Sequence, residues 1–227
     1  MFDKTRARLS IAILVAGGVG PAIPVSADVI NGNFSSGNTG FTSGYGYAAS
    51  SDPGGGHYTV GSNPKTWNSS LSSFGDHTTG TGLMLIADGS GTANTQVWAE
   101  SIAVTPNTLY TLSFYSASCG NDNGNGIDPS PATLVATANG TQVGSTLDVS
   151  ATNGTWTHFT GTFSSGSLST MPLAITDSNL DGGAGNDFAL DDISVTPEPG
   201  GLALVVFAAA LWPLQRRRAS SPAGITR

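Results

Sequence analysis

Between residues 28 and 196 the chain carries thirteen acidic residues against a single base, Lys65, a net charge of −12 for that stretch. Carboxylates and backbone carbonyls are the ligands that calcium takes, so divalent-cation binding is the chemistry this composition suits, with plain solubility as the alternative for most of the aspartates. The same surplus repels phosphate backbones and excludes nucleic acid as a partner. Hydrolytic chemistry is harder to assemble. A glycosidase needs two carboxylates across the scissile bond, and a triad hydrolase needs a nucleophile beside a base. Glu100 is the only glutamate between 28 and 196, and no Gly-x-Ser-x-Gly occurs. His57, His77 and His158 fit neither a metalloprotease helix nor a zinc pattern, and Cys119 has no second cysteine to pair with.

Two cation-binding patterns are incomplete. The stretch from Gly182 to Leu190 fits one copy of a glycine-rich calcium nonapeptide, but calcium in such rolls lies between adjacent copies, so a flexible loop is the reading. Asn121, Asn123 and Asn125-Gly126 have the spacing of an EF-hand loop, yet Ala132 stands where the bidentate glutamate belongs. Sugar binding would use aromatic faces for stacking with amides and carboxylates nearby. Tyr45, Tyr47, Tyr58, Trp67 and Trp98 lie in loops or at strand edges and are the candidate platforms, with core packing as the alternative for each.

The elements that must position these groups read as strands. Apolar residues fall in short runs broken by Gly, Asn, Ser and Pro. Strands are expected at Val29 to Phe34, Leu83 to Ala87, Thr95 to Val104, Leu109 to Tyr115, Ala132 to Ala138, Thr141 to Val149, Thr155 to Phe163, Leu173 to Thr176 and Phe188 to Val195. Asn139-Gly140 supplies the turn of a hairpin. Residues 35–81 are glycine-rich and expected to be mostly loop, with a short strand near Phe41 to Tyr47. No stretch between residues 28 and 196 shows a convincing helical period, so the fold class is all-β, an antiparallel β-sandwich or jelly roll.

Asn31-Gly32-Asn33-Phe34, the stretch from Glu100 to Phe114, Thr155-Trp156-Thr157 and the closing run from Phe188 to Val195 resemble galactose-binding-like β-sandwich domains, a fold shared by many carbohydrate-binding modules. The resemblance implies that Trp156 fills the sandwich. It also implies a structural calcium ion between the first and last strands, with an aspartate of the last strand as ligand. Simple alternation puts Asp191 on the inward face with Ile193 and Val195, which makes it the metal candidate; acceptance of backbone hydrogen bonds is its alternative role. Where related domains carry an acid after the Asn-Gly-x-Phe motif, this chain has Ser35.

The two ends read as addresses. Lys4, Arg6 and Arg8 precede an apolar run from Leu9 to Val19, and Val25-Ser26-Ala27 offers a cleavage site, so residues 1–27 are expected to be a signal peptide. At the other end, Pro197-Glu198-Pro199 precedes an apolar run and Arg216-Arg217-Arg218. The run, expected as a transmembrane helix over about residues 201–215, is short for a bilayer, and the arginines would stay on the cytoplasmic side. This order resembles a PEP-CTERM sorting signal, covering 197–227. The resemblance implies an exosortase-type processing partner, anchoring in the inner membrane with residues 28–196 outside the cytoplasm, and later release or attachment at the cell surface. The expected function is that of an exported, noncatalytic protein binding exopolysaccharide or another glycan. A structural or adhesive protein with protein partners is the alternative, and a glycan-active hydrolase is a remote one.

Overall fold

The segment Leu109–Ser118 shows why this chain builds sheets. Tyr110, Leu112 and Phe114 project to one side and are fully buried, while Thr111, Ser113 and Tyr115 project to the other, a period of two that only a pleated strand places on opposite faces. The computed structural model describes residues 27–120, 124–181 and 185–199. The body of the expected signal peptide, the expected transmembrane helix and Arg216, Arg217 and Arg218 lie outside the described residues.

In chain order the elements are β1 (Gly46–Tyr47), β2 (His57–Gly61), α1 (Pro64–Trp67), β3 (Met84–Asp88), β4 (Gln96–Ala103), β5 (Leu109–Ser118), β6 (Thr133–Ala138), β7 (Thr141–Gln142), β8 (Leu147–Asp148), β9 (Thr157–Ser164), β10 (Thr170–Asp177) and β11 (Phe188–Pro197). Six strands form one sheet in the order β1-β2-β3-β11-β5-β9, and five form the other, β4-β10-β6-β7 with β8 also on β6. All pairings are antiparallel except β1 with β2. The two sheets enclose a core that includes Leu85, Trp98, Phe114, Leu134, Ile175 and Phe188, the arrangement of a β-sandwich.

The six-stranded sheet is apolar on its outer face too. Met84, Ile86 and Ala189 meet Trp67, Leu71 and Cys119 in a second cluster, covered by α1 and the loops beside it. This accounts for the unbroken apolar run at Met84 to Ala87, which is buried on both sides. Asn139 and Gly140, both at positive φ (48° and 73°), make the turn expected between β6 and β7.

Beyond the division of the expected strand Thr141 to Val149 into β7 and β8, each pairing with β6, three expectations change. Val29 to Phe34 is a turn rather than a strand: Asn31 and Phe34 take φ of 57° and 53°, and Phe34 N–H donates to Asn31 O at 2.9 Å. Gly32 is needed there because a Cβ would fall on the Ile193 carbonyl, and Ile193 N–H donates to Gly32 O at 2.9 Å. Residues 35–81, largely loop as expected, also contain β2 and the one-turn α1, whose Asn63 cap accepts from Lys65 N–H and whose first residue is Pro64. The third change is in β11. Asp191 pairs with Tyr115 and Ser194 with Ser113, so one residue is extra; Asp192, at φ 50°, is the bulge.

Candidate functional site

A groove of about 570 Å³ crosses the outer face of the five-stranded sheet. Its floor follows from the register: Ser101 faces Pro172, and Ala99, Ala174 and Thr137 share the next row. The small side chains of Ala99 and Ala174 leave the space. Its wall is non-local. Thr42 exchanges two 2.9 Å backbone hydrogen bonds with Ala99, which lays residues 40–42 along the free edge of β4 and brings Phe41 to the rim. Gln96, Thr42, Ser101 and Thr137 offer amide and hydroxyl groups to the groove. Glu100 also lines it, with both carboxylate oxygens within reach of Ile30 N–H (3.0 and 3.2 Å) and its acid strength weakened by burial.

Phe41 belongs to a run of packed rings that begins at Phe34, edge-on at 5.5 Å. The Phe41 ring centre lies 6.0 Å from that of Tyr58, which lies 5.4 Å from Tyr47. Tyr58 is buried, with its hydroxyl donating to Asn38 Oδ1 at 2.8 Å, whereas Tyr47 is 49% exposed. Tyr47 is thus the one expected platform with a face available. Tyr45 is buried, its hydroxyl oxygen accepting from Ser90 N–H at 3.1 Å. Trp67 is buried in the second cluster with Nε1 donating to Ala48 O at 2.8 Å, and Trp98 is wholly inside the main core. These three, with Tyr58, are corrected from stacking platforms to packing residues. Trp156 is corrected in the other sense: it does not fill the sandwich but lies half-buried on the outside, edge-on to Phe74 and His77.

Asp191 does not share a face with Ile193 and Val195. The bulge returns those two to the core and leaves Asp191 on the outer side with its partner Tyr115, fully buried beneath the loop 75–82. Its Oδ2 accepts from His77 N–H (2.9 Å) and Thr78 N–H (3.3 Å), and its Oδ1 from Asp192 N–H (2.8 Å). Burial pushes its carboxyl up to about 6 despite these donors, with the neighbouring Asp192 charge acting in the same direction. Asp192 in turn bonds His77 Nδ1 at 2.7 Å and Thr78 Oγ1 at 2.7 Å. The His77 ring stacks on Tyr115 at 3.5 Å, and His158 stacks on Tyr115 at 4.4 Å. Sequence separation hid this grouping, since only the topology brings residues 77, 115, 158 and 192 to one place.

A second set of acids lies at the end of β3. Burial raises the Asp88 carboxyl strongly, helped by hydrogen bonding and charge from Asp52 and Asp187; Asp187 is raised by burial as well, although Gly89 N–H donates to it at 3.0 Å. Nearby, burial lifts Asp177 to about 6. Of the expected sorting motif, Pro197 pairs with Tyr110, Glu198 N–H donates to Leu109 O at 2.8 Å, and the Thr111 hydroxyl donates to the Glu198 carboxylate. Pro199 is the last described residue.

No family model matches the sequence, and no curated protein matches it. Solved structures do. The xylan-binding CBM22-1 domain of Paenibacillus barcinonensis Xyn10C is similar at 17% identity, over 78% of this chain and 97% of that one, with a TM-score of 0.48. A carbohydrate-binding module of Cellvibrio mixtus lichenase 5A, solved with cellotriose, is 16% identical over 58% of this chain and 89% of its own, with a TM-score of 0.36. The C-terminal domain of the sugar-binding protein EclA is 18% identical with a TM-score of 0.38; the match covers 44% of this chain and 66% of that domain, just under two thirds of its length.

Proposed function

We propose that this chain is an exported, surface-sorted protein that acts by binding, and that its ligand is an uncharged glycan lying along the groove of the five-stranded sheet. The observation that carries the reading is the continuity from groove to platform: Phe41 at the groove rim and exposed Tyr47 belong to one run of packed rings, joined through Tyr58. A sugar chain needs both features, hydroxyl and amide partners for its polar edges and an aromatic face for its C–H surfaces. The net charge of −12 over residues 28–196 disfavours polyanionic glycans for the reason that it disfavours nucleic acid. Export through residues 1–27, and inner-membrane anchoring through residues 197–227 before handling by an exosortase-type enzyme, complete the proposal. A glycan array probed with the purified full chain tests it. Binding to neutral polysaccharides, with no products released on prolonged incubation, is the expected result. Silence across the array refutes glycan binding, and chain shortening refutes a role confined to binding.

A further inference from the structure

The calcium ion that the sequence resemblance implies between the first and last strands does not fit the residues found there. A hard cation needs six or more oxygens directing lone pairs at one point. Asp191 and Asp192 direct theirs at protons instead, from His77 N–H, Thr78 N–H, Asp192 N–H, Thr78 Oγ1 and, at 2.7 Å, the ring of His77. In the cleft between residues 29–33 and 192–194, Asp192 is the lone carboxylate. Ser35, at the position where a related domain has an acid, turns its hydroxyl to Asn33 Oδ1 at 2.9 Å. Three acids do approach one another at the end of β3, Asp52, Asp88 and Asp187, but that set lies apart from Asp191 and Asp192, and no metal-holding group is found among the described residues.

We propose that the loop 76–79 does in this chain the work of that cation, so that the bulge of β11 is held by donors of the protein itself and the sandwich closes without a metal. The loop is built for this before it meets β11. Asp76 accepts from Thr79 N–H (2.9 Å), the Thr79 hydroxyl (3.0 Å) and Gly82 N–H, which fixes the turn and aims the His77 and Thr78 amides outward together. Burial works to raise the Asp76 carboxyl, yet these donors outweigh it and leave the group a stronger acid than usual. The His77 ring is clamped independently, face-on to Tyr115 and edge-on to Trp156 at 5.6 Å, so its Nδ1 is held at the Asp192 carboxylate. A bulge that presents two adjacent carboxylates to one loop would be costly without such partners. Here both are supplied by two consecutive residues, His77 and Thr78, each of which touches both carboxylates.

Thermal unfolding and terbium luminescence of the full chain test this. The melting temperature is expected to move by less than about 1 °C on adding a chelator or millimolar calcium, and terbium to show no saturable binding. Thr78→Val, which keeps shape and removes one hydroxyl donor, is expected to lower the melting temperature by about 3 °C; His77→Ala is expected to lower it further. Saturable terbium binding that Asp191→Asn abolishes overturns the proposal, as does a chelator-induced drop present in the parent and absent from Asp191→Asn. So does a Thr78→Val protein as stable as its parent, a variant mild enough to read even where His77→Ala fails to fold.

Discussion

Trp98 stands opposite Ile175 in the β4–β10 ladder, and neither side chain is reached by solvent. The indole fills the space between the two sheets, and its Nε1 finds no acceptor among the described residues. Its role is therefore volume. Trp98→Ala is expected to destabilise the protein by about 3–5 kcal/mol in denaturant titrations, through lost burial and the cavity left behind. Under conditions where the variant remains folded, its glycan affinity should stay within about twofold of the parent, since the indole faces away from the groove.

Tyr47 should behave in the opposite way. Half its surface is exposed and its one ring contact is the tilted one to Tyr58. Tyr47→Ala is expected to change stability by no more than about 0.5 kcal/mol, while lowering affinity for a neutral polysaccharide about tenfold. Affinity electrophoresis beside a melting curve reads both; equal binding by variant and parent would remove Tyr47 from the site.

The buried acids set a pH dependence of a particular sign. Burial lifts Asp177 to about 6, and burial with neighbouring acids lifts Asp88 and Asp187, so the folded protein holds protons there more tightly than the unfolded chain does. Such groups contribute stability that is fully present below the unfolded carboxylate pKa of about 3.9 and is lost as pH rises through the folded value. Stability should accordingly fall as pH rises from about 4 to about 8, by an amount on the order of 3 kcal/mol for a carboxyl lifted as far as Asp177, and the melting temperature should fall with it. Asp88→Asn should flatten the fall. A melting temperature that climbs over this range would contradict the assignment.

Gly89 is held against Asn186, whose side-chain nitrogen donates to Asp177 Oδ2 at 3.0 Å and to Asn179 O at 2.8 Å. A Cβ at position 89 would fall on Asn186 Oδ1, and the amide is too well tied to move aside. Gly89→Ala is expected to cost about 1–3 kcal/mol, measured by chemical denaturation. An unchanged midpoint would show that the β3 end has room to relax.

Much of the sandwich was written in local patterns. The alternation Tyr110, Leu112, Phe114 announces β5, and Asn139-Gly140 announces the turn after β6, because each depends only on neighbours in the chain. The candidate site was less legible because its determinants are pairings at long range. Thr42 takes its place by bridging to Ala99, which no local pattern at Thr42 signals. Trp98 and Val97 are both buried because the β4–β10 register shifts beside Ile175 and Thr176, so a strict two-residue period misplaces one of them. Asp191 shows the same effect: one extra residue at Asp192 reverses the face that alternation assigns to it. A signal for the bulge was present in the adjacent Asp191-Asp192 pair, where two carboxylates follow the apolar start of the closing strand, Phe188 to Leu190.

The central claim is the location of the glycan, and amide chemical-shift mapping during titration with a soluble neutral polysaccharide measures it most directly. Binding along the groove predicts saturable shifts at Thr42, Gln96, Ser101 and Thr137 and at Tyr47, with Thr160 of β9 and Thr196 of β11 unmoved. Shifts confined to β9 and β11, or none at saturating polysaccharide, would contradict it.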